Sequence, residues 1–421
     1  MLNKTLISIR SFVVAAGATA ASSFVGVYGV YLGASAVLMG WLQSSSNAVS
    51  NGGQLLWGKL SDRVGKRRPF LVIGSAILAF LWYMMGVINT PIELIVVYAS
   101  ISLFASLITV NWFSLIADQT DSSVRGRFLA IINILSSIGT ILSLIVMTFL
   151  FTGAVRSDIV IPFFAAAGSY VISGLLMGSL EEKRGVEVAP TNLRESLSKL
   201  KENPLFYKYF IATNVQGIFW SMAWPMFPIT IVSVMHYSLT IVAYLTIASL
   251  STSVVIQYLL GKITDRTNRP PLIFLNRIML SAIPLLYAFF SNFAEFVLLE
   301  IYSGFLGSIQ NVVMNSYLLD VIPKEKKAQY LSIINGFNGV IYLIGALIGG
   351  YLLQEMISFF PLREALIFSY SIVFGGRFLS SFLFARLKEP DNRGRNSLSL
   401  YSLLERPKQP GSPSGGTLRF R

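Results

Sequence analysis

Long apolar stretches broken by short polar turns set the pattern of this chain. From Ser11 to Gly58 there is no Lys, Arg, Asp or Glu, and from Pro69 to Ala117 the one charged residue is Glu93. A bilayer's hydrocarbon core takes roughly 20 helical residues, so each stretch holds two crossings. The same pattern predicts twelve spans, near 9–32, 36–59, 69–89, 92–117, 127–152, 159–180, 206–233, 238–261, 271–291, 294–318, 328–353 and 364–386. Lipid offers no partner to backbone polar groups, so apolar spans of this length are helices and the fold class is an all-α membrane protein. Glu300, Arg277 and Arg377 are charges inside spans, and the remaining spans are nearly free of charge.

The polar turns repeat. Trp57-Gly58-Lys59-Leu60-Ser61-Asp62-Arg63-Val64-Gly65-Lys66-Arg67-Arg68-Pro69 has a weaker copy about 203 residues on, Gly261-Lys262-Ile263-Thr264-Asp265-Arg266-Thr267-Asn268-Arg269-Pro270. Asp118 followed by Arg125-Gly126-Arg127 recurs at an offset of 202 as Asp320 followed by Lys326-Lys327-Ala328. The chain is therefore expected to hold two six-helix halves on one plan, 1–180 and 206–387. A cytoplasmic linker, 181–205, would join them, and a Ser-, Pro-, Gly- and Arg-rich tail, 388–421, is expected to be disordered.

Composition narrows the function. The chain is 54% hydrophobic and only 13% charged, against about a quarter charged for soluble domains. There is no Cys and one His, His236, so thiolate and His-cluster metal sites are excluded and no cofactor or metal is expected. The net charge of +13 does not point to nucleic acid, because the basic residues lie between apolar spans. With the N-terminus inside, 29 of the 33 Lys and Arg fall on the inner side, so both termini of a multi-pass cell-membrane protein are expected in the cytoplasm. Residues Met1 to Arg10 lead into a first helix that is retained rather than into a cleaved signal. No Gly-x-x-x-x-Gly-Lys-(Ser/Thr) loop is present, so ATP-driven pumping is not indicated and an enzyme is not expected.

Residues 58–67 carry every position of Gly-x-x-x-Asp-Arg-x-Gly-(Lys/Arg)-(Lys/Arg), and the chain thereby resembles the major facilitator superfamily in its signature loop between helices 2 and 3. The second copy departs from it at Asn268 and Pro270. The resemblance covers residues 5–390 and implies twelve helices in two pseudo-repeats, substrate between them, and transport by alternating access. It makes Gly58, Asp62, Arg63, Gly65, Lys66 and Arg67 a gate, with Gly261, Asp265 and Arg266 as second-half counterparts. Gly58 would allow close helix approach, and Asp62 would meet the start of span 11 near Ala328 to Tyr330. Asp118, Arg125, Arg127 and Asp320 would form a cytoplasmic charge network.

By the same analogy spans 1, 4, 7 and 10 line the cavity. They offer Tyr98, Asn111 and Trp112, then Asn214, Gln216, Trp220 and Trp224, then Gln310, Asn311 and Asn315. Pro225 and Pro228 suggest a broken span 7 with freed carbonyls. The alternative is that these Trp anchor the outer interface and Asn214 pairs helices. Glu300 is the candidate proton carrier, since an intramembrane carboxylate is costly and usually functional, unless span 10 starts later and Glu300 reaches external water. Arg277 would snorkel to the cytoplasmic surface, and Arg377 would snorkel or pair helices. Spans 1, 4 and 7 hold no basic residue deep enough to bind a dianion, which argues against phosphate or dicarboxylates, and the solute expected first is small, neutral and polar, such as a sugar. Span 5 lacks the Gly-Pro-x-x-Gly-Gly run of drug antiporters, and Lys66-Arg67-Arg68-Pro69-Phe70 looks more like sugar–cation symporters. The expected partners are a small-molecule substrate, a coupling H⁺ and the lipid bilayer, with no nucleic acid and a monomeric state. The rival functions are export of amphipathic compounds and a membrane sensor that does not transport.

Overall fold

The computed structural model describes residues 2–64, 66–120, 122–180, 203–263, 268–323 and 327–390. All of its regular structure is helical. Helix α1 runs Leu2–Val14, a π-helical turn Ala15–Thr19, then Ala20–Tyr31. Helices α2 to α5 are Ala36–Val64, Arg68–Met85, Pro91–Gln119 and Ser122–Leu150. Helix α6 is Val155–Asp158 followed by Val160–Gly178. Helix α7 is Pro204–Met222, Met226–Ile229 and a π-turn Thr230–Val234. Helices α8 and α9 are Leu239–Ile263 and Arg269–Phe289. Helix α10 is Phe293–Ile309, a π-turn Gln310–Met314, then Asn315–Val321. Helices α11 and α12 are Lys327–Phe359 and Leu362–Ser381, the latter ending in a 3₁₀ turn Phe382–Arg386.

Eleven of these, among the described residues, are long and apolar enough to cross a membrane. The exception is α2, which is 29 residues long but carries Gln43, Ser44, Ser45, Ser46, Asn47, Ser50, Asn51 and Gln54. It affords this polarity by local bonding: Asn47 and Asn51 donate to the carbonyls of Gln43 and Asn47 one turn back. Side chains such as Phe149, Leu175 and Leu379 stay exposed on the outer surface, as lipid-facing residues must.

The repeat is visible in how helices start. Thr90 and Glu93 form a capping box at α4, and Asn292 and Glu295 form the same box at α10. Glu93, the lone charge of its stretch, is thus a cap. Helices α3 and α9 both open on Arg-Pro. The second signature loop is two residues shorter between its Asp and this Pro, so the basic residue missing at Pro270 is supplied one place earlier by Arg269. Asn203 caps α7 through Phe206 and donates to Val321 O at the end of α10.

The first six helices meet the last six along two seams, α2 with α11 and α5 with α8. On the first seam a Cβ on Gly350 would stand 2.7 Å from Ala36 O, and one on Gly40 would stand 2.9 Å from Ala346 O. Only glycine permits that approach. Ser44 Oγ donates to Leu343 O, and Tyr31 Oη donates to Tyr237 O near the end of the bundle remote from the signature loops.

The spans differ in detail from the sequence pattern. Helix α5 begins at Ser122, ahead of its apolar stretch, and α11 continues past Gln354 and Glu355 to Phe359. The linker expectation falls on 181–202, outside the described residues, as does the tail from 391. Lys388 and Glu389, expected in the tail, are instead held: Lys388 O accepts from Tyr317 Oη at 2.9 Å and Glu389 binds Arg269.

Candidate functional site

Helix α7 supplies the centre. Ahead of Pro225, the N–H groups of Ala223 and Trp224 both turn to Ser221 O. The carbonyls of Phe219 and Trp220 thereby lose their usual donors four residues on. Arg377 of α12 replaces them, its Nε donating to Phe219 O at 3.1 Å and a terminal nitrogen to Trp220 O at 2.7 Å. The freed carbonyls and polar neighbour expected of a broken span 7 are both present, and Arg377 is a buried helix-pairing residue rather than a snorkelling one. Its guanidinium also lies 4.8 Å from the Trp220 ring.

Below the break lies a cavity of about 150 Å³. Gln216 and Trp220 of α7, Arg277 of α9, Gln310 and Asn315 of α10, and Asn338 of α11 face it. Four of the ten residues proposed for the cavity therefore come together: Gln216, Trp220, Gln310 and Asn315. Arg277 departs from its expected place. It is 5% exposed, stacks at 5.9 Å from Trp220, and donates to Gln310 Oε1 at 3.3 Å and to Met314 Sδ. A span read alone puts Arg277 near one end of α9. The close packing of α9 against α10 and α12 is what turns it inward.

The other candidates lie elsewhere. Asn111 is buried and donates to Leu107 O in its own helix. Trp112 is covered by the guanidinium of Arg10 at 4.0 Å, and Arg10 Nε donates to Ser173 Oγ. Asn214 donates to Phe210 O, and Trp224 packs edge-on against Tyr342. Tyr98 is half-buried, Asn311 is exposed, and neither lines this cavity or the next.

A second cavity, of about 260 Å³, lies between the halves, lined by Ser23 and Val27 of α1 and by Phe227, Pro228, Thr246, Ser249, Tyr287 and Glu300. Tyr287 Oη donates to Glu300 Oε1 at 2.9 Å. Phe227 packs on Tyr287 at 4.4 Å and Tyr370 Oη pairs with Thr230 Oγ1 at 2.8 Å. Glu300 lies two turns into α10, beyond the Glu295 cap. Sequence reasoning singled out Glu300 but missed Tyr287, which only its spacing across the α9–α10 hairpin could have paired with it. π-Helical turns interrupt α1, α7 and α10, three of the four helices expected at the cavity.

In the signature loop, Arg63 and Lys66 are exposed, and buried Arg67 donates to Ser61 Oγ. Gly58 is not a point of close approach, since a Cβ there would find Val110 at 3.9 Å. The tight contact is at Gly53, whose Cβ would stand 2.3 Å from Ser106 Oγ. Gly65, Asp265 and Arg266 fall outside the described residues, and so do the side chains of Asp62, Asp118, Arg125 and Arg127; Gly261 is known only as part of α8. Asp320 is described. Its Oδ2 accepts from Arg269 at 2.8 Å, and Glu389 binds the same guanidinium at 2.7 Å.

Comparison with known proteins agrees with this architecture. The family model for the Major Facilitator Superfamily matches residues 7–214 and again 209–408. One relative, the uncharacterized MFS-type transporter YfiU of Bacillus subtilis (strain 168), is 27% identical over 96 residues, 23% of this chain and 18% of that protein. The chain thus spans under a fifth of that relative's length in the match. The nucleoside transporter NupG superposes with a TM-score of 0.73 at 15% identity, over 92% of this chain and 99% of that one. A D-xylose–proton symporter superposes with a TM-score of 0.66 at 16% identity, over 94% and 97%. At these identities the likeness to solved structures is one of fold.

Proposed function

The chain belongs to the Major Facilitator Superfamily, and on that premise we propose that it is a proton-coupled secondary transporter of a small polar solute. The halves would rock across the α2–α11 and α5–α8 seams and expose the central cavities to each side in turn. The cell membrane, with both termini cytoplasmic, remains the setting proposed from the charge asymmetry.

The observation that carries the coupling is the Tyr287–Glu300 pair in a cavity shared by both halves. A carboxyl group between two rocking bodies meets different surroundings in each state, so its proton affinity changes with conformation. Tyr287 holds the group in place, and Phe227 packs on Tyr287 in the same cavity. The loops serve as latches. Arg269, Asp320 and Glu389 tie the ends of α9, α10 and α12 together, and Asp62, Arg67 and Asp118 are proposed to do the same in the first half. Export of amphipathic compounds is less well supported, because the cavity around Arg277 is lined mostly by amide, hydroxyl and guanidinium groups.

The test uses proteoliposomes and any solute that raises the melting temperature of the purified protein. Glu300→Gln is expected to abolish accumulation driven by a pH gradient while leaving solute exchange intact. Unchanged accumulation in the variant would remove Glu300 from coupling.

A further inference from the structure

Five arginines are buried among the described residues; Arg67 and Arg269 lie at the signature loops, and of the three deeper in the helices two have their bonding accounted for. Arg10 is covered by Trp112 and bonded to Ser173, and Arg377 serves the freed carbonyls of α7. Arg277 is different. Like the other two it has no carboxylate partner among the described residues, but its bonds go only to a neutral amide oxygen and a thioether, and its Nε is buried without a partner. A buried cation without a counter-charge is among the costliest arrangements a fold can hold. Here the guanidinium faces the 150 Å³ cavity rather than solid packing. A second orphan lies on the same wall: Oδ1 of Asn338 is buried with no donor.

From this guanidinium without a counter-charge and the unmatched Asn338 oxygen we infer that the substrate is a small organic anion that also carries a hydroxyl or amino donor. This deepens the transporter reading and rests on it. The anion would take the charge-assisted bonds of Arg277, for which a guanidinium fork is well shaped. The donor would satisfy Asn338. Trp220, beside the same guanidinium, would cover the apolar part of the solute. A three- or four-carbon hydroxy acid matches a cavity of about 150 Å³, roughly the volume that holds benzene in an apolar core. The argument against anions of double charge drawn from spans 1, 4 and 7 does not count Arg277, because that residue comes from α9.

The experiment is a thermal-shift and tryptophan-fluorescence titration of the purified full chain with four probes at constant ionic strength. They are lactate, propionate (the same charge without the hydroxyl), lactamide (the same shape without the charge) and inorganic phosphate. Lactate is expected to bind most tightly, propionate more weakly, and lactamide roughly tenfold to a hundredfold more weakly than lactate, the range for losing a bond to a charged group. Arg277→Gln should erase the difference between lactate and lactamide, and Arg277→Lys should restore part of it. Saturable binding of phosphate in place of the carboxylates would keep the anion site and reassign its ligand to phosphate chemistry. Equal binding of lactate and lactamide by the unaltered protein, or binding of none of the probes, overturns the inference whatever the variants do. A neutral solute carried equally well by the protein and by Arg277→Gln would sink the anion and leave the transporter standing. Anion binding without movement of any bound solute across a membrane would do the reverse.

Discussion

Arg269 and Arg277 lie eight residues apart on α9, and both are buried. Arg269 holds two carboxylates: Asp320 at 2.8 Å and Glu389 at 2.7 Å, the latter also reached by its own N–H. Arg277 holds none among the described residues. Arg269 is fully buried and sits at the membrane-edge start of the helix, where three chain segments must be fastened. Arg277 is two turns deeper, where nothing fastened to it would leave room for a solute. One guanidinium has its charge met by carboxylates of the fold, and the other faces a cavity with no carboxylate beside it among the described residues.

The largest expected effect follows from breaking the saturated one. Glu389→Ala removes the better buried carboxylate, 19% exposed against 45% for Asp320, and leaves Arg269 with one half-exposed partner. Loss of one member of a buried pair costs about 3 kcal/mol, so the melting temperature of the purified protein should fall clearly. It should fall much less for Asp320→Asn, which keeps the Glu389 contact. Equal losses would mean that exposure does not rank the two carboxylates.

Next comes Arg377, which shares the Trp220 backbone with this region. Arg377→Leu leaves the carbonyls of Phe219 and Trp220 without donors at a depth where water cannot replace them. The expected loss is about 2 kcal/mol, in the range for unpartnered buried polar groups. Proteolysis or thiol labelling of introduced cysteines near Ala223 should detect the loosened helix, and unchanged protection there would show that the break is self-supporting.

These cases also show where sequence pattern ends and packing begins. The twelve helices, their repeat and the membrane setting were legible, because hydropathy over some twenty residues is set by the solvent each segment meets. Even α2 was predicted from its lack of charge, although its amides and hydroxyls make it the least apolar of the set. Gln216, Trp220, Gln310 and Asn315 were legible as a group because they lie on helices 7 and 10. Glu300 was legible as an expensive residue, but its partner Tyr287 was not, since nothing in a tyrosine's sequence context says which helix it will cross. Arg277 was placed on the wrong surface for a related reason. Depth along a span can be estimated from sequence, but the direction a side chain faces depends on the neighbours that close around it. Arg269 is in register with Lys66 at the 203-residue offset, and nothing in that register says that it will be buried between two carboxylates.

The smallest effect is the most informative about Arg277. Removing one partner of a buried pair leaves the other charge uncompensated, whereas removing a buried charge that has no counter-charge also removes its desolvation cost. In ligand-free protein Arg277→Gln should therefore lower the melting temperature by less than the Glu389→Ala change, and a small rise is the natural direction. The Gln310 oxygen that loses this bond lines the cavity, where water can take the place of the guanidinium. When saturating anion is added, the order should invert: the unaltered protein gains stability by mass action and the variant does not. The difference between the two proteins is thus close to zero without ligand and grows with ligand concentration. A large loss of stability in the ligand-free variant would instead make Arg277 a second Arg269, already satisfied by the fold and with nothing left to offer a solute.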